Sequence, residues 1–417
     1  MLGKAVRTIA RLRGGGSALP GLFVEKIDPD FIRRTLAQLP HGVVVISGTN
    51  GKTTTTKMVV SLLESQGLTV FTNRTGSNFT RGVAAALLGE VDNQGDLHAD
   101  IAVLELDEAH AVHFVKAIAP RYSLLLNVMR DQLDRFGEID ATARMLAQIA
   151  ASTTDAVVLN REDPRVMALA SPLTDKKVTY FGLAPKLTHL FPSDDDMRSA
   201  ATTTRVQSPK ADVTLESLSG TTASFMIGTE TATLSLQLHG IYNVYNAAAA
   251  LALTRAIMGT TIDQPKLLEA LAQVTPAFGR GETLIVKGQP LEIVLVKNPS
   301  GFRLSLSSFT PKGYATMVAI NDNYADGRDM SWLWDVEFES LRGTGVAIVS
   351  GIRAYDIALR LQYDEIAIAE VEPDLRVALD HFISKNDTVP KRIFCTYTAM
   401  LALRRELGKM TEVENIS

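Results

Sequence analysis

The chain has 417 residues, 46% hydrophobic and 21% charged, with a net charge of −4 and one cysteine, Cys395. That length calls for two or three domains, and the composition is that of a soluble globular protein without the basic footprint of a nucleic-acid binder. One cysteine excludes an internal disulfide framework and a multi-cysteine zinc site, and no apolar run is long enough to span a bilayer, so a reducing, cytoplasmic setting is expected.

Met1 to Arg13 is basic and partly apolar but lacks the hydrophobic stretch of a signal peptide. Lys4, Arg7, Arg11 and Arg13 could line a short helix at an anionic membrane surface, although a solvated terminal helix is the simpler reading. Gly14 to Gly16 break the chain, Pro20-Gly21 reads as a turn, and Asp28 to Leu39 has helical periodicity. Residues 1–40 are therefore expected to form an N-terminal helical extension.

The β-branched run Val43 to Ile46 predicts a buried parallel strand, broken at Gly48 and resumed after Lys52 as a threonine-rich helix start. Gly48 and Gly51, flanking Thr49 and Asn50, let several backbone N–H groups converge on phosphate oxygens. Lys52 supplies a point charge, and the Thr53 hydroxyl, followed by Thr54, is placed to hold Mg²⁺. The spacing is tighter than in the general phosphate loop, because only Thr49 and Asn50 separate Gly48 from Gly51-Lys52. A plain glycine turn would give part of this pattern. Strand, Gly-Lys-Thr and helix in this order point instead to a nucleoside triphosphate.

Lys57 to Gln66 is helical and Leu68 to Thr72 is the next strand, a βαβ unit that implies a parallel, doubly wound α/β sheet. Helix Val83 to Leu88 and strands Ile101 to Leu106, Tyr122 to Asn127 and Ala156 to Asn160 continue it, with Glu105 and Glu108 at one strand end. From about Ala184 to Pro209 periodicity fades into a Pro-, Ser-, Asp- and Thr-rich stretch, part of an insertion from about Ala184 to Leu218. Asp212 to Gln237 alternates with a period of two, suggesting a small antiparallel patch, and Asn243 to Met258 is an alanine-rich helix. Pro276 to Gly281 marks the expected boundary between a central domain, 41–278, and a smaller C-terminal α/β domain, 279–417. In the latter, strands are expected at Thr283 to Gly288, Leu291 to Asn298, Thr316 to Ile320, Gly345 to Ser350 and Ile393 to Thr396, with helices at Tyr355 to Leu361 and Thr398 to Leu407. Cys395, beside Ile393 and Phe394, reads as core and not as a nucleophile.

GTNGKTT at Gly48 to Thr54, Glu105, NVMRDQLDRFG at Asn127 to Gly137, GIYNVYNAAAA at Gly240 to Ala250 and FGRGE at Phe278 to Glu282 together resemble the Mur ligase family, with folylpolyglutamate synthases as relatives. The resemblance implies a Mur-ligase-like central ATPase domain using ATP and Mg²⁺. In it, Lys52 and Thr53 would handle the triphosphate and metal, and Glu105 would bind a second Mg²⁺. Asn246 would contact adenine and Arg280 the γ-phosphate. Two departures stand out: Gln132 replaces a metal-holding histidine, and no lysine occurs between Asp134 and Asn160, where many members carry a carbamylated one. An ordinary amino-acid-adding ligase is therefore not expected.

LELDEAH, LVKNPSGF (Leu295 to Phe302), INDNYADGRDMSWLWDVEFE (Ile320 to Glu339) and SGIRAYDIALRL (Ser350 to Leu361) narrow the resemblance to MurT-type synthetase subunits of lipid II isoglutaminyl synthases. This implies ATP-dependent amidation of the α-carboxyl of D-glutamate in lipid II, with ammonia from a separate glutaminase subunit, GatD, in a heterodimer at the inner membrane face. Asp329 matches the family's catalytic aspartate, although Asp329 or Ser331 could simply cap a helix beginning near Met330. Lys297 and Asn298 would lie near phosphates or the glutamyl carboxylate, and Asp322, Asp326 and Arg328 are weaker candidates. Some members carry a four-cysteine zinc ribbon in the insertion; without cysteine there, no zinc is expected. The alternatives are an amino-acid-adding ligase and a nucleotide-dependent scaffold without catalysis.

Overall fold

A computed structural model of the chain describes residues 19–73, 79–130, 139–191, 208–238, 240–275, 280–385 and 388–413. It begins with α1 (Leu19–Ile27) and α2 (Phe31–Leu36). Pro20-Gly21 is thus the first turn of a helix and not the expected turn between elements. Proline there forfeits no hydrogen bond that the helix would make. Gly21 is needed for packing: a Cβ on it would clash with the Arg81 carbonyl oxygen.

The larger sheet is built from β1 (Val43–Ser47), β2 (Val70–Thr72), β3 (Ile101–Glu105), β4 (Tyr122–Leu125), β5 (Ala156–Asn160) and β6 (Lys177–Leu183), with β7 (Val213–Ser219), β8 (Thr222–Ile227) and β9 (Glu230–Ser235) continuing it. Its order is β2-β3-β1-β4-β5-β6-β7-β8-β9, parallel as far as β7 and antiparallel beyond. The expected antiparallel patch is therefore no separate unit. Phe181 to Leu183 pair with Val213 to Leu215, so the patch extends the main sheet across the insertion. Of that insertion, residues 192–207 lie outside the described part.

All of β1 is buried because helices cover both sheet faces, which is why its sequence is a continuous apolar run. One face is packed by α3 (Lys52–Ser65) and α8 (Ile241–Met258), the other by α4 (Thr80–Glu90), α5 (Glu108–Ala117) and α6 (Ile139–Ser152). The alanines 247–250 are fully buried, and their small side chains let α8 lie close against α3. α7 (Pro164–Ala168) and α9 (Gln264–Gln273) complete this half.

The smaller sheet contains β10 (Arg280–Val286), β11 (Gln289–Leu295), β12 (Ala315–Ala319), β13 (Ile348–Ser350) and β14 (Lys391–Cys395), in the order β10-β11-β14-β12-β13. β10 and β11 form an antiparallel hairpin, and the remaining pairings are parallel. α10 (Pro299–Ser308), α11 (Ala354–Tyr363), α12 (Leu375–Lys385) and α13 (Tyr397–Leu407) cover it. Cys395 is fully buried in β14, and burial pushes its thiol well above the ordinary range. No described helix is long and apolar enough to cross a membrane.

Candidate active site between the two sheets

The chain reverses its direction of travel across the larger sheet at β1, which lies between β3 and β4. Such a switch opens a crevice at the carboxyl ends of the strands, where α/β proteins hold ligands. The loop Gly48–Gly51 lies there, between β1 and α3. Gly48 and Gly51 have φ of 131° and 91°, a region that other residues rarely enter. Both also admit close neighbours: a Cβ on Gly51 would meet Asn246 Oδ1 at 2.7 Å, and one on Gly48 would meet Asn127 N at 2.9 Å.

A strap after β4 fixes the loop. Asn50 N donates to Asn127 Oδ1 and Asn127 Nδ2 donates to Asn50 O, each at 2.9 Å. Thr49 N donates to Asn127 O at 3.0 Å, and Thr49 Oγ1 accepts from Met129 N at 3.1 Å. The Lys52 ammonium, nearly buried, donates to the Gly48 and Thr49 carbonyls and lies 3.7 Å from Glu108 Oε1. Thr53 Oγ1 donates to Glu105 Oε1 at 2.8 Å, while Thr54 is buried in α3. Glu105, the last residue of β3, is held by Asn73, whose amide exchanges two hydrogen bonds with its backbone. A hydroxyl and a carboxylate this close fit magnesium, an ion that takes few protein ligands and keeps several waters. Among the described residues no larger His, Cys, Asp or Glu cluster forms.

Asn246, on α8, borders a cavity of about 60 Å³ with Asn50, Gly51, Phe181, Phe191 and Tyr245. Leu304 of α10 closes over it, so the two halves share this wall. They touch directly at the loop: Asn298 Nδ2 donates to Asn50 Oδ1 at 3.0 Å. The Asn298 Oδ1 accepts from Gly301 N at 2.7 Å, capping α10. The carboxyl edges of both sheets therefore meet at one crevice.

Lys297 precedes Asn298 and is half-buried. The Arg280 backbone opens β10, but its side chain, like residues 131–138 with Gln132, lies outside the described part. Asp329 precedes a 3₁₀ helix, Ser331–Asp335, and accepts from Ser331 N at 2.9 Å. No α-helix begins near Met330. The Ser331 hydroxyl and then its N–H hold the Asp329 carboxyl below the usual range. Asp322 takes both Nε and Nη2 of Arg353, at 2.9 and 2.6 Å, and so is engaged within its own domain. Asp326 is buried against Thr398, with burial raising its pKa, and Arg328 is exposed.

Sequence reasoning assigned no role to Glu108, Asn127 or Asp163. Asp163 caps α7 through Arg165 N and Val166 N and takes Val128 N at 2.6 Å; burial raises its pKa to about 6. The recoverable signal was polar residues at strand ends: Asn73, Asn127, Asn160 and Asn321 each follow or close a strand.

A model of the Mur ligase middle domain matches residues 46–254, and one of the MurT ligase C-terminal domain matches 295–400. The chain is 31% identical to the MurT subunit of lipid II isoglutaminyl synthase (glutamine-hydrolyzing) from Streptococcus pneumoniae, over 98% of this chain and 96% of that one. It is 28% identical to the MurT subunit from Staphylococcus aureus strain COL, over 99% and 97%. The structure resembles MurF ligase from Thermotoga maritima in complex with ADP, with a TM-score of 0.66, 17% identity and coverage of 94% and 84%. A family model matched in each half and relatives matched over nearly the whole chain leave one conclusion: the chain belongs to the Mur ligase family, in its MurT branch.

Proposed function

We propose that this chain is the synthetase subunit of a glutamine-hydrolysing lipid II isoglutaminyl synthase. It would convert the α-carboxyl of D-glutamate in the stem peptide to an amide, using ATP. The observation that carries the reading is the contact between the phosphate loop and Asn298, which joins the two carboxyl edges, in a chain similar to MurT subunits along its length. The ADP in the MurF structure, and the ADP and AMPPCP named for Mycobacterium tuberculosis folylpolyglutamate synthase, support ATP as the nucleotide.

In this reading the Gly48 to Thr54 backbone cradles the phosphates, and Lys52 exchanges its carbonyl partners for phosphate oxygens. Thr53 and Glu105 hold Mg²⁺, which offsets phosphate charge when bound. Asn246 contacts the adenine, while Arg280, Lys297 and Asn298 approach the γ-phosphate or the glutamyl carboxylate. The γ-phosphoryl passes to a carboxylate oxygen, giving an acyl phosphate and ADP. Ammonia then attacks the carbonyl carbon, the bond to the phosphate oxygen breaks, and phosphate leaves. Asp329, kept ionised by Ser331, orients the ammonia or accepts the proton its nitrogen loses. The fully buried Cys395 is no glutaminase nucleophile, which supports a separate glutaminase subunit of the GatD type. The lipid substrate sets the place of work at the inner membrane face.

The test supplies lipid II, ATP and Mg²⁺ with ammonium, then with glutamine and the glutaminase. Replacement of one hydroxyl by an amino group, seen by mass spectrometry with ammonium alone, is expected. Addition of a whole amino acid, or no product in either arrangement, would refute the reading. Lys52→Ala is expected to abolish turnover while leaving the circular dichroism spectrum unchanged.

A further inference from the structure

Polar links join the two halves. One is the Asn50–Asn298 pair. Another lies at the far end of the strap: Arg130 Nη1 donates to Asp335 Oδ2 at 2.9 Å. Arg130 follows Asn127 and Met129, the residues that bind the phosphate loop. Asp335 closes the 3₁₀ helix that Asp329 precedes. Between them, Trp332 and Leu333 are buried, and Trp332 packs edge-on against Phe302 of α10 with ring centroids 6.5 Å apart. A displacement at Asp335 is therefore carried toward Asp329 and not absorbed by a loose loop.

We propose that the Arg130–Asp335 ion pair is a positioning device that references the Asp329 segment to the strap holding the phosphate loop. Resting on the function proposed above, it keeps the activated carboxyl and Asp329 in one geometry. The two side chains are 29% and 46% exposed, and a pair this open contributes little to folding. Its consequence lies in turnover, because reacting groups displaced by about 1 Å lose on the order of a hundredfold in rate.

Charge reversal tests this in the full chain. Arg130→Asp and Asp335→Arg should each lower kcat for ammonium-driven amidation about tenfold or more, with KM for ATP within about threefold of the parent. The double swap should recover most of the lost rate, and Arg130→Lys should lose less than Arg130→Asp. Spin labels on Glu90→Cys and Asp380→Cys, exposed positions in opposite halves, report the geometry independently of activity; the buried Cys395 stays unlabelled. The distance distribution should broaden in Arg130→Asp and narrow again in the swap. Single variants with parental kcat, or a swap with parental distances and no recovered rate, overturn the proposal. If the parent itself makes no amide, the proposed function falls and the distances alone decide: unchanged distributions in Arg130→Asp overturn the link, and broadening reversed by the swap sustains it.

Discussion

At Gly51 two constraints coincide, a φ of 91° and the Asn246 amide 2.7 Å from where a Cβ would stand. Gly51→Ala should cost about 1–3 kcal/mol of stability and weaken ATP binding, measured by urea unfolding and calorimetry. Asp329 is a different case, because its constraint is electronic. With its pKa held down by Ser331, it is a carboxylate throughout the neutral range, so protonation of Asp329 should not limit the rate there. Ser331→Ala removes the largest stabilising hydrogen bond, and the acid limb of kcat against pH, at a fixed concentration of free ammonia, should move to higher pH. An unmoved limb would show that Asp329 does not govern the rate. The glycine turn between β1 and α3 was legible in the sequence because one short motif sets its backbone. Asn127 was not, because its role depends on a loop 77 residues away.

Among the elements, strand-end asparagines join neighbouring loops. Asn73 binds the end of β3 from β2, Asn127 binds the loop after β1 from β4, and Asn160 donates to Leu126 O from β5. In the smaller sheet Asn321 accepts from Ile352 N and donates to Thr398. Each amide donates and accepts at once, which suits the alternating orphan groups where parallel ladders end. Asn298 extends the pattern between the sheets. Asn298→Ala should cost about 1 kcal/mol through the lost α10 cap. Asn298→Asp keeps the cap acceptor but loses the donor to Asn50 and adds a negative charge. Because Asn298 is fully buried, the added charge should cost stability and also raise KM for ATP about tenfold or more; a parental KM would remove Asn298 from the nucleotide site. β1 and β3 were readable as apolar runs, whereas β6 mixes Lys177, Thr179, Tyr180 and Gly182 and was missed. α10 was missed because Pro299-Ser300-Gly301 reads as a loop, although Asn298 with proline at the first helical position is a cap signature.

For the whole molecule, Asp163 sets a pH dependence of stability. Its folded pKa, about 6, stands above the unfolded 3.8, so the folded state holds the proton more tightly. That stabilisation is complete below the unfolded value and is lost as pH rises through the folded one, amounting to about 3 kcal/mol. Relative to Asp163→Asn, which does not titrate, the parent should therefore lose about 2–3 kcal/mol between about pH 4 and about pH 7 in urea unfolding. A constant difference would mean that the three backbone donors keep Asp163 ionised throughout.

The order of the smaller sheet carries a further consequence. β14, the last strand in sequence, lies in its middle, between β11 and β12. A chain emerging from the ribosome can finish the larger sheet once Ser235 is out, but the smaller one stays split until Cys395 follows. Until then β11 and β12 expose unpaired edges that invite wrong partners. Shortening the chain ahead of Lys391 would thus remove a central strand and not a tail, leaving a folded nucleotide half joined to a sticky, unfinished one.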